Sequence, residues 1–173
     1  LYEAMLSVAA DLPTAVSESC LEKYLPRDAI NTRYSMIKQE AIFLKFSDQM
    51  YLNVSKRIDR EELLKFRDEV IESLTPDVIY TLDDFRETVT YKRICEKYEE
   101  ISKMFEAMNY SILVNLLHGS LKITSLDSID PFVFGKGTLV SNKQVIRFIV
   151  KEKGSIEKSD LIDLLNNKYG INH

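Results

Sequence analysis

The chain has 173 residues, of which 45% are hydrophobic and 29% charged, with 23 basic against 27 acidic side chains and a net charge of −4. That composition fits a globular protein with a real core, holding one domain or two to three small ones, and five Gly and four Pro leave little room for disorder. Residues 1–58 carry seven basic and seven acidic groups, residues 59–137 ten and sixteen, and residues 138–173 six and four, so the middle third repels phosphate while either end tolerates it.

Tyr2 to Leu12 reads as a helix ended by Pro13. Thr14 is placed to cap a second helix, Ala15 to Leu25, with Val16, Cys20, Leu21 and Tyr24 near one face and Pro26 as its stop. Ala29 to Gln39 reads as a third helix with sparse apolar positions at Ile30, Tyr34 and Ile37. Ile42 to Phe46 alternates as a strand does, Ser47 and Asp48 turn, and Gln49 to Asn53 returns. Three helices followed by a hairpin make one winged-helix-like unit over residues 1–58.

Asp59 and Glu62 form a capping pattern for a helix with Leu63, Phe66, Val70 and Leu74 on one face. Thr75 and Pro76 end it. Val78 to Tyr80 is a short strand, and Thr81 to Asp84 opens a brief helix reaching about Thr88. Lys92 to Met108 reads as one long helix with a stripe of Ile94, Tyr98, Ile101, Phe105 and Met108. The stripe is about 25 Å long at 1.5 Å per residue and suits a core or a partner-docking face. Ser111 to His118 is a further apolar helix ended at Gly119. Ser120 to Thr124 and Pro131 to Phe134 are a second strand pair, closed by Gly135, Lys136 and Gly137. Residues 59–137 therefore read as a second, larger winged-helix-like unit.

Ser141 and Gln144 form a capping box for a helix burying Val145, Ile146, Ile149 and Val150. Gly154 ends it, Ser155 and Ile156 make a minimal strand, and Lys158 to Tyr169 is the next helix, with Leu161, Ile162, Leu164 and Leu165 inward. Residues 138–173 thus read as the truncated start of a third helix-turn-helix unit. The fold class expected is α+β, mostly helical, in tandem winged-helix-like units with short β-hairpin wings.

Residues 154–171 resemble helix-turn-helix segments of large bacterial proteins. Those segments are themselves similar to sigma-factor region 4 and RNA-polymerase-associated modules, near the winged-helix group of the restriction-endonuclease and polymerase delta-subunit domains. Val78 to Phe85, with Phe132 to Gly135 downstream, resembles a recurring unit of the same proteins. The resemblance covers about residues 60–171 and implies a DNA-linked or transcription-linked role. The third unit departs from the family where the groove-entering helix is expected.

Nucleic-acid contacts are expected from the third helix and wing of the first unit: Arg27, Asn31, Thr32, Arg33, Ser35 and Lys38, with Lys45 and Gln49 from the hairpin. Arg binds guanine edges and Asn adenine edges with paired hydrogen bonds, and Lys and Arg hold register on phosphate. A second cationic stripe, Lys143, Arg147 and Lys151 at spacing four, with Lys153 beside it, suits phosphate or an acidic partner. The solvated-face reading stands beside both sets.

Glu96, Glu99, Glu100 and Glu106 lack the loop of a calcium site. His118 sits near a helix end, where it suits terminal carbonyls, and His173 is terminal; neither has the positioned partner that acid–base catalysis needs. Gly135-Lys136-Gly137-Thr138 lacks P-loop spacing and reads as a turn. Cys20 and Cys95 are expected as buried small apolar residues in a reducing cytoplasm. No apolar run reaches the roughly 18 residues that cross a membrane. The first residues lack signal-peptide character, and a start at Leu1 suggests a fragment. No enzyme and no cofactor are expected. The expected function is a non-catalytic DNA-binding or transcription-associated regulatory module of a larger bacterial protein, with double-stranded DNA as partner. The alternative is a scaffold that binds another protein or itself.

Overall fold

A computed structural model describes residues 1–137 and 139–172. The chain is α+β and mostly helical. In order, its elements are α1 (Tyr2–Asp11), β1 (Ala15–Ser17), α2 (Glu18–Leu21), α3 (Arg27–Asn31), α4 (Met36–Gln39), β2 (Phe43–Ser47), β3 (Met50–Asn53) and α5 (Arg60–Ser73). There follow β4 (Ile79–Thr81), α6 (Leu82–Arg86), α7 (Val89–Lys97), α8 (Glu99–Ala107), α9 (Ser111–His118), β5 (Ile123–Ser125), β6 (Val133–Lys136), α10 (Asn142–Lys153) and α11 (Lys158–Asn167). Among the described residues no helix is long and apolar enough to cross a membrane.

The strands form two separate three-stranded antiparallel sheets, ordered β1-β3-β2 and β4-β6-β5. Each sheet follows one rule. The strand that precedes the helices pairs with the last strand of the later pair, which takes the centre. Val16 lies opposite Tyr51, and Tyr51 opposite Lys45; Tyr80 lies opposite Phe134, and Phe134 opposite Ser125.

The chain is organised as two compact units, Leu1–Val70 with Arg93–Leu121, and Ile71–Lys92 with the chain from Lys122 onward. These limits differ from the divisions at 58 and 137 suggested by the sequence. In the first unit α9 packs along β2, and Phe66 meets Tyr98 at 5.6 Å and Phe105 at 5.2 Å between ring centres. The stripe of Tyr98, Ile101 and Phe105 is therefore core, with Ile94 and Met108 half-buried. In the second unit Val140, Val145, Ile149, Leu165, Tyr169 and Ile171 bury themselves with Ile79 and Val133 of the second sheet. The C-terminal helices thus complete an existing core and do not begin a separate one.

Several local expectations change for identifiable reasons. Residues 15–17 are a strand, because the hydroxyl of Ser17, not Thr14, accepts the helix-starting N–H of Cys20 at 3.1 Å. The Thr14 carbonyl is left to accept from the Asn53 N–H at 2.8 Å. The expected helix over 29–39 divides into α3 and α4, with Thr32 extended between them. The expected helix over 92–108 divides at Tyr98, whose backbone (φ −121°, ψ 59°) is not helical. Ser155 and Ile156 form no strand. On α10 only Val145 and Ile149 are buried, Ile146 is half-buried, and Val150 is 41% exposed. Cys20 and Cys95 are half-buried and free of disulfides.

Candidate nucleic-acid interface

The first cationic set is unevenly exposed, although Lys38 lies beside Asn31 and close enough to Lys45 to feel its charge. Arg27 opens α3, and its guanidinium is paired with Glu22 at 3.2 Å with 77% of the side chain exposed. Asn31 and Thr32 are exposed, Arg33 is half-buried, and Ser35 is 5% exposed. Lys38 is nearly covered at 9% exposure, and its ammonium donates a long hydrogen bond, 3.5 Å, to the Asn31 carbonyl. Burial pulls the Lys38 pKa down, and Lys45 adds to this, with Glu18 opposing. A covered lysine with a depressed pKa is poorly placed to reach a phosphate. Lys45 is half-buried in β2, and Gln49 is exposed in the hairpin turn.

The physical cause lies in α4. Four residues long, it packs against β2 and α9. Its end is fixed by two arginines of α5 one heptad apart: Arg60 donates to the Glu40 carbonyl at 2.7 Å and Arg67 to the Gln39 carbonyl at 2.6 Å. Burial lowers the Arg67 pKa. These guanidiniums satisfy helix-end carbonyls that would otherwise be bare. Neither arginine belongs to the cationic sets expected from the sequence, where their spacing of seven is the one signal that marks them. The helix expected to read a groove is covered on one side and clamped at its end.

Tyr51 lies in the same region at 1% exposure, its hydroxyl donating to the Asn31 side-chain oxygen at 3.4 Å. Burial first, then Glu18 and Glu22, push its pKa up to about 12. The unfolded chain ionises this phenol near its ordinary value of about 10. The contribution of the group to stability is therefore intact below that pH and lost as pH rises towards 12. Tyr51→Phe is expected to flatten the alkaline loss of stability over this window, read by urea denaturation at stepped pH.

The second cationic set holds together. Lys143, Arg147 and Lys151 are all exposed on α10, which runs unbroken for 12 residues. The Ser141 hydroxyl accepts from the Gln144 N–H at 3.3 Å and fixes the helix start, while buried Val145 and Ile149 fix its inner face. Spacing of four then carries the three cations down one outer face. Lys153, in the last turn, is also exposed.

The remaining candidates resolve into structure. Glu96, Glu99, Glu100 and Glu106 are exposed, and Glu99 pairs with Lys103 at 3.2 Å. Among the described residues no group of His, Cys, Asp or Glu is arranged to hold a metal ion. Gly135 lies within β6, opposite Ile79 and Thr124, and not in the expected turn; Lys136 donates to the Ile71 carbonyl at 2.8 Å, and only Gly137, at φ +78°, stands just beyond the strand. Thr138 and His173 lie outside the described residues. His118 is half-buried in the last turn of α9. No family model, curated protein or solved structure matches the chain.

Proposed function

We propose that the chain is a non-catalytic docking module with two winged-helix-like units, which binds the phosphate backbone of double-stranded DNA in a transcription-associated setting. The shared strand order of the two sheets, each entered by a helix and a short strand and closed by a later strand pair, supports the winged-helix reading. The observation that carries the DNA reading is the exposed row of Lys143, Arg147 and Lys151 on one rigid, capped helix. Contact of this kind positions a protein on a duplex without reading sequence. Arg27, Thr32 and Lys45 of the first unit are auxiliary in this reading, and Lys38 is not used.

A salt series on a generic duplex tests it. Three neutralised phosphates give a log–log slope of about −2.7. Binding is expected at low salt with at least that steepness, and the triple variant K143E/R147E/K151E is expected to lose it. Absence of binding by the unmodified protein at low salt removes the proposal.

A second reading, a protein-binding or self-associating scaffold, is favoured by Tyr24 and Tyr34, which are 57% and 69% exposed on the first unit. Such aromatics are common anchors of protein interfaces. Light scattering on the same sample separates the two: a defined oligomer with no duplex affinity selects the scaffold.

A further inference from the structure

The second unit contains a cavity of about 280 Å³ that the DNA reading does not use. Its apolar wall is formed by Ile79 on β4, Phe148 on α10, Leu164 on α11 and Tyr169 just beyond it. Phe148 and Leu164 pack against the core of the unit yet stay half-buried, so the wall keeps apolar surface in contact with water. The charged groups around it are two carboxylates, Asp84 and Glu152, and two ammoniums, Lys153 and Lys168, beside the hydroxyl-bearing Tyr80, Thr81 and Tyr169. The charges cancel.

One of the opposite pairs is already closed. The Lys168 ammonium lies 2.7 Å from Asp84, with the two side chains 40% and 65% exposed. A pair so open to water contributes little to stability, so a ligand can displace it at small cost. The consequence depends on the charge of the ligand. An anion that takes Lys168 leaves Asp84 without its partner, and a cation that takes Asp84 leaves Lys168 likewise. A molecule with one group of each sign re-pairs both at once.

We propose that this cavity binds a small zwitterion, an α-amino acid with an apolar side chain. Its carboxylate pairs with Lys168 and Lys153, its ammonium with Asp84 and Glu152, and its side chain covers Phe148 and Leu164. A few convergent polar groups around an apolar wall fix the orientation of such a ligand.

The test is a titration of the full chain followed by two-dimensional NMR. The probes are leucine, isocaproate (leucine without its amine) and isoamylamine (leucine without its carboxylate). Leucine is expected to give saturable shifts at Phe148, Ile149 and Leu164, and each half-ligand to bind roughly tenfold more weakly. Lys168→Met and Glu152→Gln are each expected to weaken leucine by about fivefold. Glu152 is exposed, so its variant keeps the test valid if Lys168→Met fails to fold. No saturable shift with leucine overturns the proposal. So does a half-ligand that binds as tightly as leucine, or an affinity that Glu152→Gln leaves unchanged.

Discussion

Asn53→Leu is expected to destabilise the protein by about 2–3 kcal/mol, seen as a lower urea midpoint with an unchanged slope. Asn53 ends β3 and is fully buried. Its side-chain amide donates to the Ala9 carbonyl at 2.7 Å and to the Leu12 carbonyl at 3.1 Å. Those oxygens lie at and just past the end of α1, which runs into Pro13 without a glycine cap. The amide of a residue more than forty positions away thus performs the capping. Leu has the branched shape and side-chain heavy-atom count of Asn but bulkier methyl groups, so the substitution removes the donor without opening a cavity and adds an overpacking cost of its own at this fully buried position. The Leu12 carbonyl is then left bare, and Ala9 keeps only the longer 3.3 Å bond from the Leu12 N–H. One gain offsets part of the loss, because the Asn53 side-chain oxygen is itself buried without a partner. Asn53→Asp keeps that acceptor, loses the donor and adds a buried charge, so it is expected to cost more than Leu. Equal stability of Asn53→Leu and the unmodified chain would show that the bridge carries no net weight.

This bridge illustrates what the residues alone disclose. Elements whose signal is local are legible. Asp59 and Ser141 cap α5 and α10 through bonds spanning two and three residues, and Leu63, Phe66 and Val70 line a buried face at helical spacing. The first strand pair is legible for the same reason, being runs of β-formers around a turn, whereas the second is legible only in part: the strands expected at 120–124 and 131–134 lie at Ile123–Ser125 and Val133–Lys136. The first strand of the β1-β3-β2 sheet is not. Thr14 and Ser17 are equally good caps in the sequence, and only the pairing of Val16 with Tyr51 decides for Ser17. Grouping of elements fails for a related reason. Amphipathic helices such as α8 and α9 declare that they bury a face, but not against which sheet. The candidate site divides in the same way. The α10 row follows from one helix and one cap. The zwitterion cavity is assembled from β4, α6, α10 and α11, and no sequence spacing announces it.

Gly119→Val is expected to destabilise the protein by about 3 kcal/mol or more, and Gly119→Ala by about 1–3 kcal/mol. The sign of the alanine effect is the informative part. Gly119 takes φ −73°, a conformation open to any residue. On backbone grounds alone Ala would therefore stabilise by about 0.4–1 kcal/mol through the unfolded chain. A Cβ at this position would, however, stand 2.7 Å from the Lys38 carbonyl oxygen and 3.0 Å from its carbonyl carbon. Main-chain atoms cannot swing aside as a side-chain tip can, so α9 must lift from α4 to admit even a methyl. That movement has a second readout. Lys38 is covered while α9 lies close, and its lowered pKa keeps more of its amine neutral than is usual for a lysine. Separation of the two helices opens the amine to reagent, although rehydration also relieves the burial that lowers its pKa, so the readout is access. Amine acylation mapped by mass spectrometry should therefore rise at Lys38 in Gly119→Ala, measured against Lys143, which is exposed in either case. A stabilised alanine variant with unchanged labelling at Lys38 would mean that the contact is looser than its distance implies. The covering of α4, which sets aside the first unit as the groove reader, would then lose its physical basis.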